Sequence, residues 1–417
     1  MWRDIARRCV AAGAVVVLAT TLTPAAAEPP PTVGTAPVSD EAVRGLGKLV
    51  GRNGSSQTTC RVAGRPLLVT TGDFTAYVGP SGTSRPARRV VVTNARTGAF
   101  IWAPREVDGW VQTSHCAHGR IYFGGSFHRF HGQRRPGTAA VDATSFRLLR
   151  WTVPAGQFNG AEVRSIVSGN GAVFVAGGAK VARVDKTTGA VAWSRSFDCG
   201  VRALVQADRF VYAGGFFNTI IRPGARPIRA RGLAKLKAST GAPTGLQPQG
   251  SKANRASCRT PYDPKDPTAR YSGANPLALA HDRERGRIVA CEGGISNRVR
   301  SVGMWSGRNV WVRLIDGDGQ VCVIVGRMVF VGFHRANPLA RTHNWGAMGA
   351  FLHAGSGLQA AWQPDPDFTG YGPGRDGRNR GIIGAVYVPV LRRLYVTGSF
   401  DQVDGLLTPK LAAFAVG

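Results

Sequence analysis

The sequence predicts an all-β fold: a seven-bladed β-propeller of four-stranded antiparallel blades, closed by an N-terminal strand that completes the last blade. Three observations predict it. A strand-length apolar run ending at glycine occurs seven times, a second run closing on Thr-Gly and tryptophan follows several copies, and the final copy stops before its closing strand.

The fullest copy runs from Arg120 to Trp151 and reads RIYFGGSFHRFHGQRRPGTAAVDATSFRLLRW. Its first half returns as LLVTTGDF (67–74), VFVAGG (173–178), VYAGGFF (211–217), IVACEGG (288–294), VFVGF (329–333) and LYVTGSF (394–400). Its second half returns as VVVTNARTGAFIW (90–102), ARVDKTTGAVAW (182–193), LAKLKASTGAP (233–243), VGMWSGRNVW (302–311), GAFLHAGSGLQAAW (349–362) and LAAFAVG (411–417). Aligned on Gly72, Gly125, Gly178, Gly215, Gly294, Gly332 and Gly398, the copies are 53, 53, 37, 79, 38 and 66 residues apart. A fixed unit with loops of uneven length is how radially repeated sheets look in sequence.

The pattern V-Y-V-G-G-x-F … R-P-G-x-A-x-x-D-x-x-T-G-x-x-x-W resembles the delta-sixty type β-propeller repeats of secreted bacterial proteins, relatives of the PQQ-like propeller repeats. The resemblance is strong over Arg120–Trp151 and weakest in the unit starting at Arg287. It implies a fold and almost no chemistry, because propellers host unrelated functions.

At the N-terminus, Arg3, Arg7 and Arg8 precede an apolar run from Cys9 to Leu22, and Ala25-Ala26-Ala27 offers a small-residue cleavage site. Residues 1–27 therefore have the form of a secretory signal peptide; the run is shorter than the ~20 residues a span needs. Arg7-Arg8 resembles a twin-arginine signal with poorly matching flanks, so the export route stays open. Residues 28–41 are a Pro-rich linker, and 42–417 form the propeller domain. The expected location is extracellular or at the cell wall, as a monomer without a transmembrane segment after signal cleavage.

The chain carries 53 Lys and Arg against 24 Asp and Glu, a formal charge of +29. Removing the signal, with three arginines and Asp4, subtracts 2 and leaves +27. Such a surface attracts polyanions through salt-sensitive long-range fields, or is simply solvated in an Arg-rich host. A wall polymer, an acidic glycan or a protein partner is expected; nucleic acid is not the expected physiological partner.

Six cysteines remain beyond the signal: Cys60, Cys116, Cys199, Cys258, Cys291 and Cys322. An even number without C-x-x-C spacing favours disulfides over zinc, with fifteen possible connectivities. On the repeat register Cys60, Cys116, Cys199 and Cys322 fall at inner strands, Cys291 near the end of a second strand and Cys258 in a long loop. The cheapest scheme joins sequence neighbours as Cys60–Cys116, Cys199–Cys258 and Cys291–Cys322.

Glycine pairs such as Gly124-Gly125 and Gly214-Gly215 suit a bend where a side chain would crowd the next blade. Thr97-Gly98, Thr188-Gly189 and Thr240-Gly241 suit the turn into the outer strand. Trp102, Trp193 and Trp311 are expected to pack between neighbouring blades. The last unit lacks its fourth strand, and residues 44–50 (RGLGKLV) are expected to supply it and cover the exposed edge.

In a propeller the loops from second to third strand, and from blade to blade, emerge at one face. Here they are Arg-rich with interleaved aromatics, which predicts a basic platform of Arg129, Arg134, Arg135, Arg222, Arg226, Arg229, Arg231, Arg335, Arg341, Arg378 and Arg380 with Phe130, Trp345 and Tyr371. Arg forks suit phosphate, carboxylate or sulfate, and aromatic faces suit sugars or bases. The competing reading is that these arginines brace loop backbone.

Catalytic motifs are thin. His115/His118 and His128/His131 show H-x-x-H spacing without the helix that makes it a zinc site, and no metal site is expected. DGDGQ around Asp316 and Asp318, and PDPD with Asp365 and Asp367, lack the calcium-loop spacing. Three function classes follow. The first is a non-catalytic extracellular binding or scaffold protein, without cofactor. The second is a quinoprotein-like oxidoreductase with PQQ and calcium, although an adjacent Cys-Cys pair is absent. The third is a hydrolase or lyase of acidic polysaccharide or phosphoester, for which the sequence brings no carboxylate pair together.

Overall fold

Alternating strand patterns with tight turns pair each strand with its sequence neighbour, and the resulting ladders are all antiparallel. A computed structural model of the chain describes residues 42–416 except 170, 251–274, 294–296, 316, 335–347, 354, 356, 358–361, 363–380 and 404–405. Within these residues lie seven sheets of three or more strands, and the only helix is a single turn at Pro389–Leu391.

The first sheet runs Lys48–Val62, Arg65–Val78, Val90–Asn94, Phe100–Trp102, with Ser84–Pro86 also on the second strand. The third (Val163–Gly169, Ala172–Gly177, Lys180–Val184, Val191–Ser196) and the fifth (Pro276–Asp282, Arg287–Glu292, Arg298–Gly303, Asn309–Leu314) have four strands. The second (Val111–Ala117, Arg120–Gly125, Thr138–Asp142), fourth (Val201–Ala207, Phe210–Gly215, Leu233–Lys237), sixth (Gly319–Val325, Met328–Phe333, Met348–Leu352) and seventh (Ile382–Val388, Arg393–Gly398, Leu411–Ala415) have three. The expectation of four strands in every sheet therefore fails in the second and fourth sheets; in the sixth the expected outer strand falls largely outside the described residues. In the second and fourth sheets the outer strand shrinks to single bridges, Val141 with Leu148 and Leu236 with Pro243. Pro243 has no N–H to give a ladder.

Successive inner strands touch, and the first inner strand also touches the last. The core is divided accordingly into seven apolar packets, each between two adjoining sheets. One packet joins Leu68 and Val91 of the first sheet to Tyr395 and Ala413 of the seventh. Outer-strand tryptophans seal these packets, as expected from the repeat. Trp193 donates to the Ala238 carbonyl at 3.0 Å, Trp311 to His353 at 3.3 Å, and Trp151 to Asp185 at 2.9 Å, each in the next sheet. Trp102 stacks on Phe146.

The glycine pairs have two separate causes. A Cβ on Gly124 would lie 2.5 Å from Val163, and one on Gly214 would lie 2.7 Å from Pro276, both in the next sheet. On Gly125, Gly215 and Gly398 it would meet the carbonyl oxygen preceding their own inner strand at 2.0, 2.2 and 2.0 Å. Ladder register also corrects the repeat alignment: the residues equivalent to Gly125 are Gly177, Glu292 and Phe333 rather than Gly178, Gly294 and Gly332. Gly125→Ala is expected to lower stability by about 1–3 kcal/mol. Gly349→Ala, whose nearest neighbour is 3.7 Å away, should be neutral in the same thermal melt; equal melting of the two variants would refute the close-approach argument.

Each inner strand carries a register shift just after its start, as between Val111 and Thr113, Val163 and Ser165, and Val201 and Ala203. The bulge locally disrupts the ladder and re-aims one side chain per sheet at the end nearest the long loops.

The first and last described segments meet, though not by the strand expected over 44–50. Lys48–Val50 instead continues the first inner strand opposite Ala76–Val78, with Leu49 buried beside Phe74 and Tyr77. The edge of Leu411–Ala415 is met earlier, where Ala42 bridges Phe414 and Val43 N–H donates to the Ala413 carbonyl at 2.7 Å.

Disulfides Cys60–Cys116 and Cys291–Cys322 tie the first sheet to the second and the fifth to the sixth, with Cα–Cα distances of 5.6 and 6.2 Å. Cys199 is buried just ahead of the fourth inner strand rather than within it; Cys258 lies outside the described residues.

Candidate functional site

In the second and fourth sheets the loops between second and third strands are built structures rather than open coils. In the second sheet the loop folds into a ribbon of Arg129–Phe130 against Gln133–Arg134, and in the fourth into Thr219–Ile220 against Ile228–Arg229. One aspartate fixes each ribbon. Asp108 Oδ1 accepts from the His128 and Arg129 amides at 2.7 and 2.8 Å, and Asp198 Oδ1 from the Asn218 and Thr219 amides at 2.8 and 3.0 Å. A carboxylate receiving two amides holds its loop firmly.

Sequence reasoning placed Phe130 among the exposed aromatics, and this is corrected. Phe130 is fully buried, stacked on Phe123 at 4.9 Å, because the ribbon folds back onto the second sheet. Arg129, Arg134, Arg222, Arg226 and Arg229 are exposed on the two ribbons and their loops. Arg135 is different: its guanidinium donates to the Leu149 carbonyl at 2.9 Å and the Arg134 carbonyl at 2.8 Å, bracing backbone. Arg231 is half-buried with φ of 43°. Arg335, Arg341, Arg378, Arg380, Trp345 and Tyr371 lie outside the described residues.

Beside the first ribbon, a cleft of 680 Å3 opens between the first and second sheets. Arg52, Asp73, Thr75 and Arg89 line it from the first sheet, and Asp108, Trp110, Ser126 and His128 from the second. Asp73 stands between Arg52 and Arg89 at 3.8 and 4.0 Å, too far for tight hydrogen bonds. Arg89 is anchored by donation to the Val107 carbonyl at 2.5 Å, and the Trp110 indole donates to Ser55 at 2.7 Å.

The backbone at Arg89 is left-handed, with φ of 68°. Its carbonyl accepts from Gly72 N–H at 3.0 Å, the role that Gly137 fills towards Gly125 and Gly232 towards Gly215, at 3.0 Å each. Those two positions, at φ of 75° and 85°, use glycine. The seventh sheet holds Lys410 at the same position, at φ of 63°, so glycine is favoured there but not required.

The fold separates the second H-x-x-H pair. His128 lines the cleft, whereas His131 stacks on Trp102 and accepts the Arg105 amide at 3.2 Å. His115 sits 2.8 Å from the Ser168 hydroxyl, and burial pushes its imidazole down to about 4, so it is neutral at pH 7. A PQQ and calcium pair would need carboxylate oxygens for the metal. In this cleft Asp73 lies between two guanidiniums and Asp108 has only Oδ2 to give, well short of the roughly six to eight oxygens calcium takes, and no step through the group follows.

Arg52, Asp73, Arg89, Asp108 and Trp110 were missed from sequence. The signal available was the aspartate recurring ahead of inner strands at Asp108, Asp198 and Asp318.

No family model and no curated protein matches the chain. Among solved structures it is similar to a chain in the crystal structure of the mitotic checkpoint complex, at 11% identity and a TM-score of 0.54, covering 99% of this chain and 98% of that one. It is also similar to the computationally designed Ika8 protein, at 11% identity and a TM-score of 0.50, covering 88% and 99%. BamB from Moraxella catarrhalis follows at 12% identity and a TM-score of 0.46, covering 92% and 98%. At such identities the first two likenesses speak for the fold alone, an all-β architecture of the propeller type.

Proposed function

We propose that the seven sheets are the blades of one closed ring of the delta-sixty type, exported from the cell, and that its loop face binds an anionic extracellular polymer without catalysis. One observation carries this. Arg129 and Arg134 are cross-strand partners in the ribbon of the second sheet, both exposed, and neither forms an ion pair with a described carboxylate. Like charges placed directly opposite destabilise a ribbon, and a bound anion removes that repulsion. The two described disulfides support an oxidising compartment, and no described helix is long and apolar enough to cross a membrane.

The test is retention on isolated wall polymer and on an acidic glycan across a salt series. With Arg134, Arg222, Arg226 and Arg229 changed to serine, the eluting salt concentration should fall at a Tm no lower than wild type, because each lost contact reduces the salt dependence while the Arg129–Arg134 repulsion is relieved. Equal elution of variant and wild type would overturn the reading. A protein partner on the same face is the second reading, favoured by the fold likeness to a chain of the mitotic checkpoint complex. It predicts capture that persists at high salt.

A further inference from the structure

Resting on that reading of the loop face, we propose that the cleft between the first and second sheets is a subsite for a carboxylated sugar residue of the polymer. Its 680 Å3 is within the range of small-ligand sites. No aliphatic side chain lines it, which disfavours an apolar ligand or a peptide anchored by a hydrophobic residue. Donors and acceptors are mixed instead, as a ring of hydroxyl groups requires.

The charges choose the acid. Among the described residues Asp73 is the one carboxylate near Arg52 and Arg89, at 3.8 and 4.0 Å; Arg89 gives one further N–H to the Val107 carbonyl, and the forks retain N–H groups for one ligand carboxylate. Asp108 spends Oδ1 on two amides, and Oδ2 accepts no hydrogen bond from a described residue, leaving it for a ligand hydroxyl. A phosphate dianion would have no hydroxyls for Asp73 and Asp108 and would meet two carboxylates at close range. A sugar with one carboxylate offers its acid to the arginines and its hydroxyls to the aspartates.

Calorimetric titration of the full chain with galacturonate, galactose and inorganic phosphate tests the assignment. Galacturonate should bind at least about tenfold more tightly than either of the others, the usual scale of one charge-assisted pair. Arg89→Gly should weaken galacturonate about tenfold or more; glycine suits the backbone, and the melt then reads only the lost contact to the Val107 carbonyl. Arg52→Gln provides the same readout without touching that backbone. Equal affinity for galactose or phosphate, or wild-type affinity in both variants, overturns the subsite. The serine variant of the ribbon arginines separates the two claims. If galacturonate fails to bind while polymer retention still depends on those arginines, the subsite falls and the loop-face reading stands; if both are lost, both fall.

Discussion

Glu292→Gln is expected to lower the free energy of unfolding by about 3–5 kcal/mol, the usual cost of breaking a buried ion pair from one side. Glu292 is 1% exposed and accepts from Arg298 at 2.6 Å and from the fully buried Arg300 at 2.5 Å. Burial already holds the Arg300 guanidinium below its ordinary pKa, and Glu292 is the partner that favours its charge. Neutralising the carboxylate leaves two facing cations inside the fifth sheet. Arg300→Met combined with Glu292→Gln should recover part of the loss, because it removes the buried charge as well. Urea midpoints measure both, and a loss below about 1 kcal/mol in the single variant would show that the pair is not energetically coupled.

The second large effect is at Cys60–Cys116. The bridge closes a sequence separation of 56 residues, for which chain entropy predicts about 4 kcal/mol. Replacing both cysteines with serine should therefore cost about 2–5 kcal/mol. The bridge lies where Cys60 pairs with Leu67, at the far end of the first sheet from the cleft, where Gly51 pairs with Phe74. Its removal should accordingly lower Tm more than it weakens galacturonate. Identical unfolding of oxidised and reduced protein would refute it.

Architecture was legible because its causes are local. Gly-Gly marks close approach, Thr-Gly marks a positive-φ turn, and tryptophan marks the contact to the next sheet; each repeats within one unit. Two of the three disulfide pairs proposed from strand register are present among the described residues. The cleft was not legible, because Arg52, Asp73, Arg89, Asp108 and His128 come from two units and no repeat joins them. Phe130 misled for a related reason. An aromatic between arginines reads as exposed until the ribbon, bridged to Val107, turns it inward.

The packet shared by the first and last sheets also governs how the chain can fold. Its bonds run from the Tyr395 hydroxyl to the Ala95 carbonyl and from Arg393 to the Arg96 carbonyl, across a separation of 300 residues in the first case. Closing a loop of that length costs about 5 kcal/mol of chain entropy. A chain emerging from a ribosome or a pore can assemble the earlier packets in order, but this one must wait for the final strand. Until then Leu68, Val91 and their neighbours face solvent on one unfinished flank. The waiting time of the first sheet, set by the speed at which the last one arrives, is the interval in which this protein is most exposed to aggregation and proteolysis.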